Sequence, residues 1–261
     1  MKKASRLMCL LLIVVGLSGC GKQADPIKKI QESGALRVGV KVDVPSFGYL
    51  SPLTNELEGL EIDLARLIAQ EILGDSDAVK MVGVTAQTRE PMLENGELDL
   101  VIATFTITEE RKKKFLFTAP YYNEEIGFLV RQDSTSMNMQ DMDGKTVGTV
   151  QAGTARSALE AEAEKLGLAI TCVEYASYPE VMWALLSGAI EAFSSDKSIL
   201  LGYLDQDTRL LDTGFRMQDY GIAVRRNQPE LSQYLNGLLD AMTQDGRLDE
   251  LLDRWNLKAN E

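Results

Sequence analysis

The sequence predicts an α/β protein with two lobes, each built on a mainly parallel sheet flanked by helices. Three observations support this prediction. Strand-like and helix-like segments alternate along the chain, their order restarts near residue 145, and each half ends in a strand-like run that contains glycine. These two runs, Glu124–Arg131 and Tyr220–Arg226, are expected to cross between the lobes as hinge strands.

The first half shows the alternation of helices and strands. A short helix is expected after Asp25, which would cap it, with Pro26 at its first position and Gly34 beyond its end. The strand Ala35–Val40 follows it. An amphipathic helix over 59–74, a strand over 79–84, a short helix closed by Gly96 and a strand over 98–103 complete this half.

The second half repeats this order from Lys145. Its first strand contains a glycine, as the strand Ala35–Val40 does, and a helix, a strand, a second helix and a third strand follow. The similarity is weak and of a kind that α/β chains often share, yet it favours two lobes. The corresponding pairs are Gly96 with Gly188, Leu98 with Ile190, Asp99 with Glu191, and Thr104 with Asp196.

The first twenty residues resemble an export signal. A short basic lead precedes an apolar run that is too short for a mature membrane span, and small residues stand before Cys20. We therefore predict a lipoprotein signal peptide over 1–19, with lipid attached to Cys20. The alternative is a plain signal peptide with an incidental cysteine. Residues 20–34 would form the lipidated terminus, a tether and the first helix, and anchor the protein to the extracytoplasmic face of a membrane.

The composition excludes several functions. The chain carries a formal net charge of −12, and the leader contributes three basic residues and no acidic one, so the remaining body repels nucleic-acid phosphates. The absence of histidine excludes Ser-His-Asp triads and histidine-ligated zinc. Cys172 would be the one internal cysteine left, so no internal disulfide can form, and an inert buried thiol is the favoured interpretation.

Polar side chains follow the predicted strands at their carboxyl ends, where open α/β sheets bind ligands. The first lobe would contribute cations and the second an anion, which suits a zwitterion with an extra carboxylate. Each residue has a structural alternative, namely helix capping, core packing or an exposed surface position. The candidates are Lys41, Phe47, Arg89, Thr104, Thr106, Arg111, Thr154, Tyr178 and Asp196.

Arg111 stands apart from the three lysines that follow it. Thr108 is placed to cap a short helix, so Arg111 would lie in the first turn, where a cation is unfavourable with the helix dipole. Its position is explained if it instead binds a ligand carboxylate. Lys112, Lys113 and Lys114 are expected to face solvent.

The stretches "GLEIDLARLIA", "DLVIATFTITEERKKKFLFTAPYY", "VGTVQAGT" and "AFSSDKSILLGY" resemble the polar-amino-acid solute-binding proteins of ABC importers, family 3 of the bacterial extracellular solute-binding proteins. The resemblance covers nearly the whole chain after the leader. It implies the type II periplasmic-binding-protein fold. It also assigns the ligand α-carboxylate to Arg111 and Thr154, the ammonium to Asp196 and an aromatic wall to Phe47. Ala155 replaces a second hydroxyl residue that is common in the family.

The stretches "GVKVDVP" and "TREPMLENGELDLVIATFTIT" resemble the branch that binds aspartate and glutamate. The resemblance implies a second set, Lys41, Arg89, Thr104 and Tyr178, for the side-chain carboxylate. A neutral analogue would leave buried cations unpaired at a cost of about 2–5 kcal/mol. An acidic amino acid is therefore the expected ligand, with cystine or a neutral polar amino acid as the alternative.

The function that these expectations imply is capture of an amino acid by hinge closure, followed by delivery to an ABC permease. We expect a monomer with no cofactor, no metal and no catalytic activity, although a dehydratase-type enzyme on the same scaffold remains an alternative. The first lobe would comprise residues 35–128 and 221–261, and the second lobe residues 129–220.

Overall fold

The structure is a computed structural model that describes residues 25–258. The predicted signal peptide and Cys20 lie outside the described residues. The helices are α1 (Pro26–Ser33), α2 (Leu60–Leu73), α3 (Arg89–Glu94), α4 (Glu109–Lys112), α5 (Ala155–Leu166), α6 (Tyr178–Leu186), α7 (Lys197–Gly202), α8 (Pro229–Gln244) and α9 (Arg247–Arg254), with a 3-10 turn over Met139–Met142.

The strands form three sheets, and the two larger ones are each flanked by helices. The strands are β1 (Leu36–Val40), β2 (Asp43–Val44), β3 (Gly48–Leu50), β4 (Leu57–Glu58), β5 (Val79–Gly83), β6 (Leu100–Ile102), β7 (Phe115–Phe117), β8 (Tyr122–Arg131), β9 (Thr146–Val150), β10 (Thr171–Tyr175), β11 (Ala192–Asp196), β12 (Thr208–Leu210), β13 (Phe215–Tyr220) and β14 (Ala223–Arg225).

The first sheet has the order β5-β1-β6-β14-β7. Strands β1, β5 and β6 are parallel, whereas β14 runs antiparallel to β6 and β7. The second sheet has the order β10-β9-β11-β8-β12, with β13 paired to β8; its strands β9, β10 and β11 are parallel. The prediction of two mainly parallel sheets flanked by helices is therefore confirmed.

The chain passes between the sheets twice, through β8 and through the end of β13. Tyr122 at the start of β8 is paired with Tyr220 at the end of β13, and β14 begins in the first sheet at Ala223. β8 is paired in the second sheet from Tyr122 onward, so residues 122–128, which the sequence analysis assigned to the first lobe, are hydrogen-bonded there. Phe47 packs edge-on against Tyr122 and Tyr220, so an aromatic group lies at this crossing.

The internal repeat has a physical basis in packing. Gly39 in β1 and Gly148 in β9 occupy equivalent places. A Cβ added at Gly39 would lie 2.7 Å from Leu98 Cδ1, and one added at Gly148 would lie 2.5 Å from Ile190 Cδ1. The helix before each of these two apolar residues ends at a glycine with positive φ, Gly96 at 76° and Gly188 at 77°. Both halves therefore need glycine where a parallel strand lies close to the turn after a helix.

The helices begin and end where their sequence signals lie. Asp25 accepts hydrogen bonds from the backbone of α1, and Gly34 ends that helix in the left-handed region, as predicted. α2 lies between Gly59 and Gly74 and buries the apolar face that its periodicity predicted. Its polar edge is joined to α9, because Trp255 Nε1 donates to Asp63 at 3.0 Å.

Some elements differ from the sequence prediction. The small antiparallel sheet β2-β3-β4 was not predicted, because its strands are only two or three residues long. α7, which ends at Gly202, was not among the predicted elements, and the Tyr203 hydroxyl beyond it donates to Asp43 O at 2.5 Å. Across residues 25–258, no helix combines the length and the apolar composition needed to cross a membrane.

Candidate functional site

A cavity lies between the carboxyl ends of the parallel strands of the two sheets. Its volume is about 20 Å³, the space of a single water molecule and far below the 300–1,000 Å³ typical of ligand pockets. The two lobes therefore face each other closely here. The lining residues are Ala86, Arg89, Thr104, Thr106, Val150, Gly153, Thr154, Ala155, Tyr178, Ser195 and Asp196.

Six of the nine candidates from the sequence line this cavity: Arg89, Thr104, Thr106, Thr154, Tyr178 and Asp196. The placement of candidates at strand ends explains why they meet, since β6, β9 and β11 all end at this edge. The other three, Lys41, Phe47 and Arg111, are buried beside the cavity but do not line it.

Arg89 is a buried cation at the first turn of α3. Its side chain is 3% exposed, and Nη1 donates to Ala103 O at 2.6 Å and to Thr104 O at 3.2 Å. The Nε atom is buried and has no hydrogen-bond partner among the described residues. The guanidinium carbon lies 4.2 Å from the centroid of the Phe105 ring. The exposure of 3% excludes a surface position, and an unused donor lies inside the protein. Burial also lowers the pKa of the Arg89 guanidinium.

Arg111 reaches across to the second lobe. Its backbone N–H donates to Thr108 Oγ1, which confirms the predicted cap, and Nη1 donates to Thr106 O at 2.8 Å. Nη2 donates to Ala152 O at 3.1 Å, and Nε pairs with Glu90 at 3.3 Å. Burial and the neighbouring guanidinium of Arg89 lower the pKa of Arg111 to about 10. In this arrangement a backbone carbonyl of the second lobe is bound by the guanidinium.

Lys41 and Phe47 have partners inside the protein. Lys41 Nζ lies 2.9 Å from Asp43 Oδ1 and 5.1 Å from the centroid of the Tyr178 ring, and burial lowers the pKa of the amine. Phe47 is fully buried in the aromatic group at the hinge crossing. Because Lys41 is already paired with Asp43, it is less available to a side-chain carboxylate of a ligand than the sequence predicted.

Asp196 occupies the N-cap position of α7, yet its side chain makes no capping hydrogen bond, so the capping alternative is wrong. It accepts a hydrogen bond from the Tyr220 hydroxyl. The cap is supplied from the hinge strand β8 instead, where Glu124 accepts from the backbone N–H and the hydroxyl of Ser198. The Tyr220 hydroxyl also lies 3.0 Å from Glu124 Oε1, so it connects the two carboxyl groups.

Thr154 likewise stands at the N-cap position of α5 without capping it. Its hydroxyl donates to Gln218 Oε1 at 2.7 Å. Gln218 belongs to β13, the strand that leads to the hinge, and was not predicted from the sequence. The hydroxyl that the family resemblance assigned to a ligand carboxylate is therefore joined to the strand that crosses between the lobes.

Two residues at the edge of the cavity have positive φ without being glycine. Thr104, with φ 42°, is held by Glu61, whose Oε1 accepts from the Thr104 N–H and from the Tyr121 hydroxyl, each at 2.5 Å. Ala152, with φ 58°, presents its carbonyl to Arg111. Such conformations cost of order 1–3 kcal/mol and often lie at functional sites. Glu61 was missed because it lies among apolar residues of α2.

Three buried carboxyl groups retain protons to unusually high pH. Burial raises the pKa of Glu61 to about 7 and that of Asp196 to about 6. Burial and the nearby Asp196 raise the pKa of Glu124 to about 8. Within residues 25–258, no group of side chains is arranged to hold a metal ion.

We expect the protein to lose stability as pH rises from about 5 to about 8. A carboxyl whose pKa is raised in the folded state keeps its proton there while the unfolded chain releases it. The stability that each protonated carboxyl contributes is therefore complete below the pKa of the unfolded chain. It is lost as pH rises through the pKa of the folded state. Thermal unfolding at several pH values measures this slope, and Glu124→Gln should flatten it at the alkaline end. A midpoint that rises steadily over this interval contradicts the assignment.

The fold and the cleft define a class of protein: two α/β lobes, joined by crossing strands, that enclose a polar site. Residues 36–258 match the family described as bacterial extracellular solute-binding proteins, family 3. The chain therefore belongs to this family, which confirms the resemblance found in the sequence.

Three similar proteins illustrate the relationship. The ABC transporter glutamine-binding protein GlnH of Bacillus subtilis is 34% identical, over 94% of this chain and 93% of the relative. The glutamate-binding protein GluB of Corynebacterium glutamicum is 28% identical, over 91% and 84%. The crystal structure of the ancestral amino acid-binding protein AncCDT-1, a precursor of cyclohexadienyl dehydratase, has a TM-score of 0.79 and 28% identity, over 88% and 98%.

Proposed function

We propose that this solute-binding protein captures an amino acid between its lobes by hinge closure and delivers it to an ABC permease. The relatives named for glutamine and glutamate support an amino acid as the solute. In the cleft, Asp196 is suited to the ligand ammonium, and Arg111 with Thr154 to its α-carboxylate. Opposite charges on facing lobes suit a zwitterion.

Binding of a ligand would exchange one contact of Arg111 for another. Its Nη2 now donates to Ala152 O across the cleft, and a ligand carboxylate would take the place of that carbonyl. The cavity of about 20 Å³ also requires the lobes to separate before an amino acid enters. The paired hinge residues Tyr122 and Tyr220 are where the backbone would bend. Ligand contacts made to both lobes then favour the closed population.

We propose aspartate or glutamate as the ligand, and a single observation carries this choice: the buried Nε of Arg89 has no hydrogen-bond partner among the described residues, and the residue lines the cavity. A side-chain carboxylate would supply the missing acceptor and compensate a desolvated charge. Lys41 contributes less to this choice, since Asp43 already pairs with it. Thr104 and Tyr178 also line the cavity.

Glutamine is the second candidate. The relative with 34% identity is named for glutamine, and the pairing of Lys41 with Asp43 leaves fewer cations for a carboxylate. The amide oxygen of glutamine could accept from Arg89 Nε, although it would not neutralise the guanidinium. Cystine or another neutral polar amino acid would face the same buried charge.

Calorimetric titration with a panel of amino acids distinguishes these ligands. With the chain 21–261, we expect aspartate or glutamate to bind in the micromolar range, corresponding to about −8 kcal/mol. Arg89→Met should weaken an acidic ligand by about 30-fold or more, since it removes the proposed partner of the side-chain carboxylate. It should weaken glutamine far less. The matched control is Lys113→Met, which changes an exposed lysine at the end of α4.

Equal losses for acidic and neutral ligands would refute the side-chain role of Arg89. If the protein binds glutamine tightly and binds neither aspartate nor glutamate, glutamine is its ligand. The dehydratase alternative is tested in the same samples, because a binding protein returns the amino acid or prephenate chemically unchanged.

We also propose that the protein is a monomer anchored outside the cytoplasm through lipid on Cys20, which lies outside the described residues. The family description supports an extracellular location. Mass spectrometry of the amino-terminal peptide from membrane-isolated protein tests the anchor, since an unmodified Cys20 would contradict it.

A further inference from the structure

A second polar pocket lies on the side of the first sheet that faces away from the cleft. Its volume is about 420 Å³, within the range of small-molecule sites. It is formed where β1, β5 and β6 begin and β14 ends, whereas the cleft lies at the opposite ends of the same parallel strands. α1 and the start of α8 close its sides. Nothing in the proposed capture of an amino acid uses it.

Cations outnumber acids in this pocket. Four basic side chains line it, against Asp99 and Glu230. This excess is notable because the chain as a whole carries a net charge of −12. A local positive potential on an acidic protein attracts anions that the remaining surface repels. The basic residues are Lys29, Arg37, Lys80 and Arg225.

Two of these cations are exposed and uncompensated. The side-chain amines of Lys29 and Lys80 make no hydrogen bond or ion pair with any residue between 25 and 258. The two arginines form the wall behind them. Arg37 is bound to Asp99 through Nη2 at 2.6 Å and Nε at 3.1 Å.

Arg225 feels the charge of Asp99 without an ion pair to it, since the Asp99 carboxylate is bound by Arg37. Burial and the charge of Arg37 lower the pKa of Arg225, against the opposing effect of Asp99. Among the described residues it donates only through Nη1, to the carbonyls of Leu93 and Leu98. Its Nε and Nη2 donors are therefore free for a ligand that enters the pocket.

The amino end of α8 opens into the same pocket. α8 is 16 residues long, and Gln228 at its N-cap makes no side-chain capping bond. The Gln228 Oε1 atom is buried without a hydrogen-bond partner in the described part of the chain. The N–H groups of the first turn thus lack the usual side-chain acceptor, and they add to the positive potential of the cations.

We propose that this pocket binds a phosphate-bearing anion. A phosphate group supplies several acceptor oxygens and up to two negative charges, which match lysine amines, guanidinium donors and a helix amino terminus together. The volume of the pocket accommodates a phosphate ester larger than the inorganic ion. Two sources share this chemistry, an anionic lipid headgroup and a free phosphate ester.

The position of α1 brings a lipid headgroup within range. α1 begins at Pro26, six residues after Cys20, and six residues of any chain reach at most about 20 Å. Pro26, Lys29 and Ser33 of this helix line the pocket. An anchored protein would therefore hold the pocket close to the membrane surface, where anionic headgroups raise the local concentration of phosphate.

The test uses the chain 21–261, which contains every helix and strand described and lacks the cysteine that would be lipidated. The probes are inorganic phosphate, glycerol 3-phosphate, and vesicles of phosphatidylcholine with or without phosphatidylglycerol. The variant is Lys29→Gln with Lys80→Gln, two exposed changes that break no hydrogen bond or ion pair within residues 25–258. The matched control is Lys113→Gln with Lys145→Gln, which removes the same charge from two exposed lysines outside the pocket.

We expect at least one probe to bind the wild-type chain, with about fivefold or greater loss in the Lys29/Lys80 variant and little change in the control. Glu230→Gln should strengthen binding, since it removes an acid from the pocket. If glycerol 3-phosphate binds in solution, a free phosphate ester is sufficient as the ligand. If binding occurs only on phosphatidylglycerol vesicles, the ligand is the lipid headgroup. No binding of any probe up to about 10 mM, or equal losses in variant and control, overturns the proposal. Amino-acid titrations of the same proteins report the cleft separately.

Discussion

Asp196→Ala should weaken amino-acid binding by about 30-fold or more while leaving the protein folded. The carboxylate is buried at the cavity wall and is the acid proposed to hold the ligand ammonium. Its removal leaves Arg89 and Arg111, the two guanidinium groups whose charges act on it, without this compensation. The loss of a buried charge partner costs about 2–5 kcal/mol, which corresponds to a loss in affinity of about 30-fold to several thousandfold.

Calorimetry with the preferred amino acid measures this loss, and circular dichroism verifies the fold. Folding should persist because the Tyr220 hydroxyl keeps its second partner, Glu124. Asp196→Asn keeps the shape of the side chain and should also bind weakly, since an amide does not neutralise an ammonium group. Asp212→Asn, an exposed change, serves as the control. Wild-type affinity in either Asp196 variant would remove this residue from the site.

Glu61→Leu should lower the free energy of unfolding by about 2–4 kcal/mol. The carboxyl group of Glu61 accepts from the Thr104 N–H and the Tyr121 hydroxyl in a fully buried position. Leucine fills similar space but leaves both donors unsatisfied, and each such donor costs about 1–3 kcal/mol. The gain from removing a buried acid offsets part of this cost. Thr104 would also lose the bond that holds it at positive φ.

Urea unfolding followed by circular dichroism measures the change, with Glu61→Gln as the matched variant. Burial raises the pKa of Glu61 to about 7, so near pH 6 the side chain is mostly neutral, and glutamine reproduces its acceptor oxygen. We expect glutamine to cost less than half as much as leucine. Equal stability of the leucine variant and the wild type would mean that neither hydrogen bond stabilises the fold.

The sequence predicted the architecture because local signals agree with it along most of the chain. Periodicity identified α2, and the caps Asp25 and Gly34 gave the ends of α1. The repeat was also predicted, through the glycine and apolar residue that precede equivalent strands. Elements that depend on distant partners were harder to predict. The two-residue strand Asp43–Val44, for example, is defined by its pairing with Gly48–Leu50 and carries no periodic signal of its own.

The candidate site likewise contains residues that the sequence predicted and residues that it did not. Residues placed at strand ends, such as Thr104 and Asp196, were found because parallel strands share one carboxyl edge. The partners that hold them were not found. Glu124 lies in the hinge strand and caps a helix that begins at Lys197, a contact between residues 74 positions apart. Ala152 presents its carbonyl through a positive φ that alanine rarely adopts, and no residue pattern indicates it.

The aromatic group at the hinge crossing determines which optical signals can report a ligand. Neither tryptophan lines the cavity: Trp183 is 75% exposed on α6, and Trp255 is bound to α2. The rings of Tyr122 and Tyr220, in contrast, lie 5.9 Å apart at the crossing itself. Bending of the hinge strands would therefore change tyrosine absorption and emission, whereas tryptophan emission would stay nearly constant through a titration.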